Sequence, residues 1–293
     1  MYDSIQEIVE DAKAKDKPIS ELIIEQECRT SGNSREAIWR KMAKNLEVMR
    51  AAVERGQKGD GVFSATGLTG GEAVKIKKYR ETGKTLSGDA MMCAVQDAVA
   101  TNEVNAAMGV VCATPTAGSS GTMPGVLFML EKRLDLTEEQ MIRFLFTAGG
   151  FGMVIANHSG IAGATGGCQA EVGSAAAMGA AAAVEAAGGT PEQSAHALSI
   201  AISNLLGLVC DPIAGLVEIP CVKRNAIGAG DALIAADMAL AGCVSKIPAD
   251  ECISAMNKVG RGLPASLRET GIGGLAGTPT GQAITARIFG DNV

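Results

Sequence analysis

Apolar residues in this chain recur every three to four positions far more often than every second position, which restricts it to folds built from packed helices. Asn33 is a good N-cap with Glu36 three residues on, and Ile38, Trp39, Met42, Leu46, Met49 and Val53 then form one stripe at helical spacing. Gly56 and Gly59 end that helix. Thr137-Glu138-Glu139-Gln140 is a capping box opening a helix through Phe146. Thr190-Pro191-Glu192-Gln193 is a second, with proline at the first helical position, and its helix carries Ala195, Leu198, Ile202 and Leu205 on one face before ending near Gly207. Ala175 to Ala187 is an alanine-rich helix smooth enough for deep burial. Pro18 to Glu27, Asp89 to Met108, Met238 to Cys243 and Asp250 to Val259 read as further helices, and the tail from Gly271 closes with a short amphipathic piece. Convincing alternating strands are scarce. The expected fold is predominantly α: a single large helical domain over 1–293, with 1–60 as its helical N-terminal part and glycine-rich loops free to build a site.

Composition excludes several function classes. Apolar residues make up 47% of the 293, enough for a sizeable core. A net charge of −6 and only 3% aromatic residues argue against a basic face or base-stacking platform for nucleic acid. The uncharged run Phe144 to Ala170 contains seven glycines plus Asn157, His158, Ser159 and Thr165, so it reads as packed interior with turns, not a membrane span. The start, Met1-Tyr2-Asp3-Ser4-Ile5-Gln6-Glu7, is polar and acidic and lacks the pattern of a secretory signal. Eight cysteines in such a chain point to a reducing cytoplasm, where they serve as core filler, metal ligands or catalytic groups.

Three of those cysteines stand apart. Cys168, Cys210 and Cys221 are spaced C-x41-C-x10-C and sit beside the helix breakers Gly167, Pro212 and Pro220, so each is expected at an element end or loop. The spacing matches no zinc pattern. Three thiolates can hold an iron–sulfur cluster with one iron left open as a Lewis acid, a site suited to removing water from a hydroxy acid. Cys28, Cys93, Cys112, Cys243 and Cys252 lie in helix-like or apolar runs and read as small buried hydrophobes. Ala113 to Gly125 is a glycine-, serine- and threonine-rich loop whose N–H groups and hydroxyls can cradle a carboxylate or simply connect. Lys75, Lys77, Lys78 and Arg80 follow the Gly67-Leu68-Thr69-Gly70-Gly71 loop and form either an anion site or a solvated helix face.

The stretches Gly-Gly-Cys-Gln-Ala-Glu-Val-Gly (166–173), Leu-Gly-Leu-Val-Cys-Asp-Pro-Ile-Ala-Gly (206–215) and Ile-Pro-Cys-Val-Lys-Arg-Asn-Ala (219–226) resemble the iron–sulfur-dependent L-serine dehydratases. So do Glu-Val-Asn-Ala-Ala-Met-Gly (103–109), Pro-Thr-Ala-Gly-Ser (115–119) and Gly-Leu-Thr-Gly-Gly (67–71), in the same order over nearly the whole chain. The resemblance is to the separate alpha subunit of the two-chain type. It implies Cys168, Cys210 and Cys221 as ligands of a catalytic [4Fe-4S] cluster, the reaction L-serine → 2-aminoacrylate → pyruvate and ammonia without pyridoxal phosphate, and a smaller beta subunit completing a hetero-oligomer.

Two departures from relatives matter. Single-chain relatives end in a cysteine able to occupy the open iron, whereas this chain ends Phe289-Gly290-Asp291-Asn292-Val293, so self-capping is not expected. The segment before Cys168 usually carries serines in relatives and reads Gly160-Ile161-Ala162 here.

Further candidates come from residue type and position. Thr116, Gly118 and Ser119 are candidates for gripping the substrate carboxylate, and Arg224 and Lys223 for supplying positive charge or serving a solvated or helix-end role. Glu171 is a candidate base or amino-group ligand, with a structural cap as the plainer role. His158, ten residues before Cys168, is a candidate for catalysis, whereas His196 reads as structural. Competing readings are the same elimination on threonine or cysteine, a non-catalytic iron–sulfur sensor or scaffold, and a cofactor-free helical interaction subunit. No nucleic acid or membrane is expected as a partner.

Overall fold

A computed structural model describes residues 2–290, so residues 291–293 of the chain's ending lie outside the described residues. Thirteen α-helices are present among the described residues: α1 Ile5–Lys15, α2 Ile19–Ser31, α3 Arg35–Gly56, α4 Glu72–Glu81, α5 Asp89–Ala106, α6 Thr122–Leu134, α7 Glu138–Ser159, the single turn α8 Gly163–Gly166, α9 Ser174–Ala186, α10 Pro191–Leu205, α11 Cys221–Leu240, α12 Ala249–Gly262 and α13 Pro279–Phe289. The described residues contain no strand ladder, only isolated bridges pairing Phe63 with Gly70 and Cys210 with Arg268. No helix among them is long and apolar enough to cross a membrane. The predominantly α expectation holds.

The alanine-rich α9 is the centre of the packing. Every residue from Ser174 to Val184 is buried, and α6, α7, α10 and α11 pack around it. Methyl-sized side chains let those helices approach closely, while larger residues such as Met123, Leu127, Phe151, Ile155 and Leu198 fill the remaining volume at full burial. Burying a side chain the size of Leu198 stabilises the fold by about 2 kcal/mol.

Both capping boxes form. Thr137 accepts from the Gln140 N–H and Thr190 from the Gln193 N–H, and each glutamine returns a bond to the cap backbone. Several sequence expectations need correction. The cap of α3 is Ser34, whose hydroxyl accepts from the Ala37 N–H, and not Asn33. The helix opened at Thr137 does not stop at Phe146 but continues to Ser159, because its glycines are contact points. A methyl group on Gly150 would meet the Ile23 side chain at 2.4 Å, and one on Gly152 would meet Met178 at 2.7 Å. Likewise the helix read as Met238 to Cys243 is the end of α11, which starts at Cys221. Gly228 lies inside α11 because Thr122 Oγ1 would be 2.7 Å from a methyl there. The helix α1 carries no expectation from the sequence pattern. Cys243 is exposed, not a buried hydrophobe.

Candidate active site

The three singled-out cysteines come from separate breaks in the helical fold. Gly167, at φ +77°, turns the chain out of α8 where a methyl would meet Leu263 at 2.6 Å and the Leu208 carbonyl oxygen at 2.9 Å. Cys168 follows, and a π turn, Gln169–Gly173, leads into α9. Cys210 lies in the connection after α10, and Cys221 is the first residue of α11.

Side-chain and backbone bonds sew these breaks together. Gln169, fully buried, donates its backbone N–H to the Leu208 carbonyl at 2.9 Å and accepts from the Gly207 N–H at 2.9 Å. Its amide nitrogen donates to the Gly166 and Met256 carbonyls. The Cys210 N–H donates to the Leu267 carbonyl at 2.9 Å, and the Cys210 carbonyl accepts from the Glu269 N–H at 2.7 Å. Asn225, one turn beyond Cys221, accepts from the Gly121 and Thr122 N–H groups at 3.0 Å and donates to the carbonyls of Gly118 at 2.8 Å and Cys221 at 3.0 Å. It thereby pins the 114–121 loop to the start of α11.

Cys168 and Cys210 are buried against Val172 and Leu208, and all three thiols lie close enough to disfavour one another's ionisation. Burial is the main cause of their upward shifts, which reach about 11 at Cys168 and about 12 at Cys221. Cys210 is pushed up as well, first by burial and then by Cys168, Glu171 and Glu269. Arg224 works the other way at Cys168 and Cys221. Its guanidinium donates to the Val209 carbonyl at 2.7 Å and pairs at 2.8 Å with the buried Asp211, which also accepts from the Leu275 N–H.

Two carboxylates face the thiols. Oxygens of Glu171 and Glu269 and the Cys210 sulfur lie within 4.8 Å of one another. Burial raises the Glu171 carboxyl to about 6, against the hydrogen bond it accepts from Thr116 Oγ1 at 2.8 Å. Thr116 Oγ1 is in turn 3.1 Å from Ser119 Oγ, which donates to the Thr114 carbonyl at 3.0 Å. A methyl on Gly118 would sit 3.2 Å from Glu171 Oε1. Thr116, Gly118, Ser119, Glu171 and Arg224 are thus gathered with the cysteines. His158 and Lys223 have other partners. His158 Nε2 lies 2.7 Å from the Asp3 carbonyl oxygen at the exposed end of α7, and Lys223 pairs with Glu72 at 2.8 Å.

Four contributors escape a reading of the sequence. Asn225 had a local signal, its place one helical turn after Cys221. Asp211 adjoins Cys210, but nothing local marks it as the partner of Arg224. Glu269 and Gly163 carry no local pattern and reach the site only through the fold.

The site is therefore that of an all-helical protein with three convergent thiols and an acidic, hydroxyl-lined mouth. A family model described as serine dehydratase alpha chain matches residues 14–276, and the chain belongs to that family. The probable L-serine dehydratase alpha chain of Bacillus subtilis (strain 168) is 60% identical over 290 residues, covering 99% of this chain and 96% of that one. The L-serine dehydratase alpha chain of Peptoniphilus asaccharolyticus is 44% identical over 284 residues, 97% of each chain. The L-serine dehydratase of Streptomyces coelicolor is 39% identical over 270 residues, which span 88% of this chain and 57% of that protein.

Proposed function

We propose that this chain is the alpha subunit of a two-chain, cytoplasmic L-serine dehydratase that forms 2-aminoacrylate, which becomes pyruvate and ammonia in water. The convergence of Cys168, Cys210 and Cys221 carries the reading. Three buried thiols beside two carboxylates resist ionisation unless a strong cation joins them, and the donor set fits an iron–sulfur cluster with one position open. A [4Fe-4S] cluster held by these thiolates would supply a Lewis-acid iron for the substrate hydroxyl.

The chain's own residues do the rest. The 116–119 loop offers the hydroxyls of Thr116 and Ser119 and its N–H groups to the substrate carboxylate. Glu171, with a carboxyl raised to about 6 yet ionised at neutral pH, removes the proton from the α-carbon. Thr116 orients it through their 2.8 Å hydrogen bond. Arg224 fixes the Val209 to Asp211 segment and adds positive charge beside Cys168. Lys223 and His158, engaged by Glu72 and Asp3, are given no step.

The proposed partner is a beta subunit. The alpha-chain names of the relatives support it, as does the Streptomyces coelicolor protein, of which 43% extends past the match (100% less the 57% matched). Co-purification of both chains without oxygen, with assays for iron, sulfide and pyruvate from L-serine, tests the reading. About four irons per chain and turnover only with the partner are expected. A chain that takes up no iron on reconstitution overturns the cluster, and iron without turnover favours a sensor role. Keto-acid release from threonine or cysteine at a rate above that from serine would transfer the activity to that substrate.

A further inference from the structure

Glu269 has no part in the mechanism above, yet the fold delivers it to the mouth of the site. Its N–H is bonded to the Cys210 carbonyl at 2.7 Å, and its backbone sits at φ +64°. That anchor sets its carboxylate within 4.8 Å of both Glu171 and the Cys210 sulfur. The cation nearest the thiols, Arg224, is committed to Val209 and Asp211, and no ion pair among the described residues engages Glu269.

Gly163 makes the space between these groups. A methyl there would lie 2.8 Å from a Glu171 carboxylate oxygen, 2.9 Å from the Cys210 sulfur and 3.1 Å from a Glu269 carboxylate oxygen. All three groups therefore look into one small volume that stays open because residue 163 has no side chain. Its walls are acceptors, and two of them carry negative charge.

We propose that Glu269 binds the α-ammonium group of the substrate and that Gly163 keeps open the volume that group occupies. The site thereby selects α-amino acids over the matching α-hydroxy acids. An ammonium has three donors and no acceptor, which matches a volume walled by carboxylates. An α-hydroxyl brings one donor and no charge, leaving the acceptors under-satisfied, and sites built for a polar group discriminate strongly against analogues lacking it. The inference rests on the serine dehydratase reading and deepens it by assigning how the amino group is recognised.

L-Alanine and L-lactate test it, because neither carries the β-hydroxyl that elimination removes. Their binding is measured by calorimetry on the anaerobic, iron-replete complex of both chains. The wild type should bind alanine at least ~30-fold more tightly than lactate, the scale of one charge-assisted contact. Glu269→Gln should keep its iron content and melting temperature, lose most of that preference, and hold lactate within about threefold of wild type. Glu269→Asp should restore part of the preference, and Gly163→Ala should weaken both ligands. An active, iron-replete Glu269→Gln complex with an unchanged alanine-to-lactate ratio, or with both affinities reduced equally, overturns this inference alone. A wild-type complex with no iron or no pyruvate formation strikes the activity reading instead.

Discussion

Two groups of thiols and carboxylates lie in this fold, and they differ in what they lack. Around Cys93, the cation is built in. Lys132 Nζ lies 3.2 Å from the Cys93 sulfur and 3.4 Å from a carboxylate oxygen of the buried Asp97, and Gln57 donates to the other Asp97 oxygen. Around Cys168, Cys210 and Cys221, three thiols and two carboxylates share one cation, Arg224, which is already paired with Asp211. The first group is complete with its own residues. The second has an excess of acceptors, the arrangement expected where a positively charged cofactor and a cationic substrate are to be received.

The largest effect should come from the incomplete group. Cys168→Ala is expected to remove the iron and lower pyruvate formation at least about a thousandfold, read by iron analysis and keto-acid assay. Retention of both would erase the distinction between the two groups. Arg224→Ala should come next. It leaves Asp211 buried and unpaired, so denaturant unfolding should show a loss of about 3 kcal/mol together with poorer iron retention.

A third buried acid sharpens the contrast, since Glu103 has backbone partners and no cation. It accepts from the N–H groups of Glu72 and Ala73 at the start of α4, and burial raises its carboxyl to about 7. A carboxyl raised on folding favours the folded state while protonated, so its contribution is full at low pH and fades as pH rises through 7. Thermal melts should show stability falling by on the order of 2 kcal/mol between pH 4.5 and 7.5 from this residue, and Glu103→Gln should flatten that slope.

Lys132→Met should have the smallest effect, about 1 kcal/mol, with iron content and activity unchanged. Burial already raises the Asp97 carboxyl and Lys132 opposes that shift, so the loss should be greater at pH 8 than at pH 5. Melts at the two pH values measure it, and an equal loss at both would show that Lys132 is not the balancing charge.

How much of this was legible in the sequence depended on how local the signal was. The capping boxes at Thr137 and Thr190 are four-residue patterns, and both formed. Asn33 and Ser34 are adjacent residues with comparable capping power, and only the path of the entering chain decides between them. The lengths of α7 and α11 were missed because Gly150, Gly152 and Gly228 read as breakers, while in the fold they are places where another helix comes close. Breakers beside Cys168, Cys210 and Cys221 rightly predicted element ends. Thr116, Ser119, Glu171 and Arg224 were legible as polar residues in or beside glycine- and proline-rich breaks. Glu269 was not, because its place depends on a bridge from Cys210 to a segment more than fifty residues away.

That bridge also orders events during synthesis. Cys210 is held by the backbone of Leu267 and Glu269, and the Cys168 segment leans on Met256 and Leu263 of the same late region. A ribosome that has exposed all three cysteines has still not exposed the chain that frames them. Iron and sulfide must therefore be delivered to a finished polypeptide, and a nascent chain stalled before residue 256 would display its thiols to the cytoplasm with no frame to hold a metal.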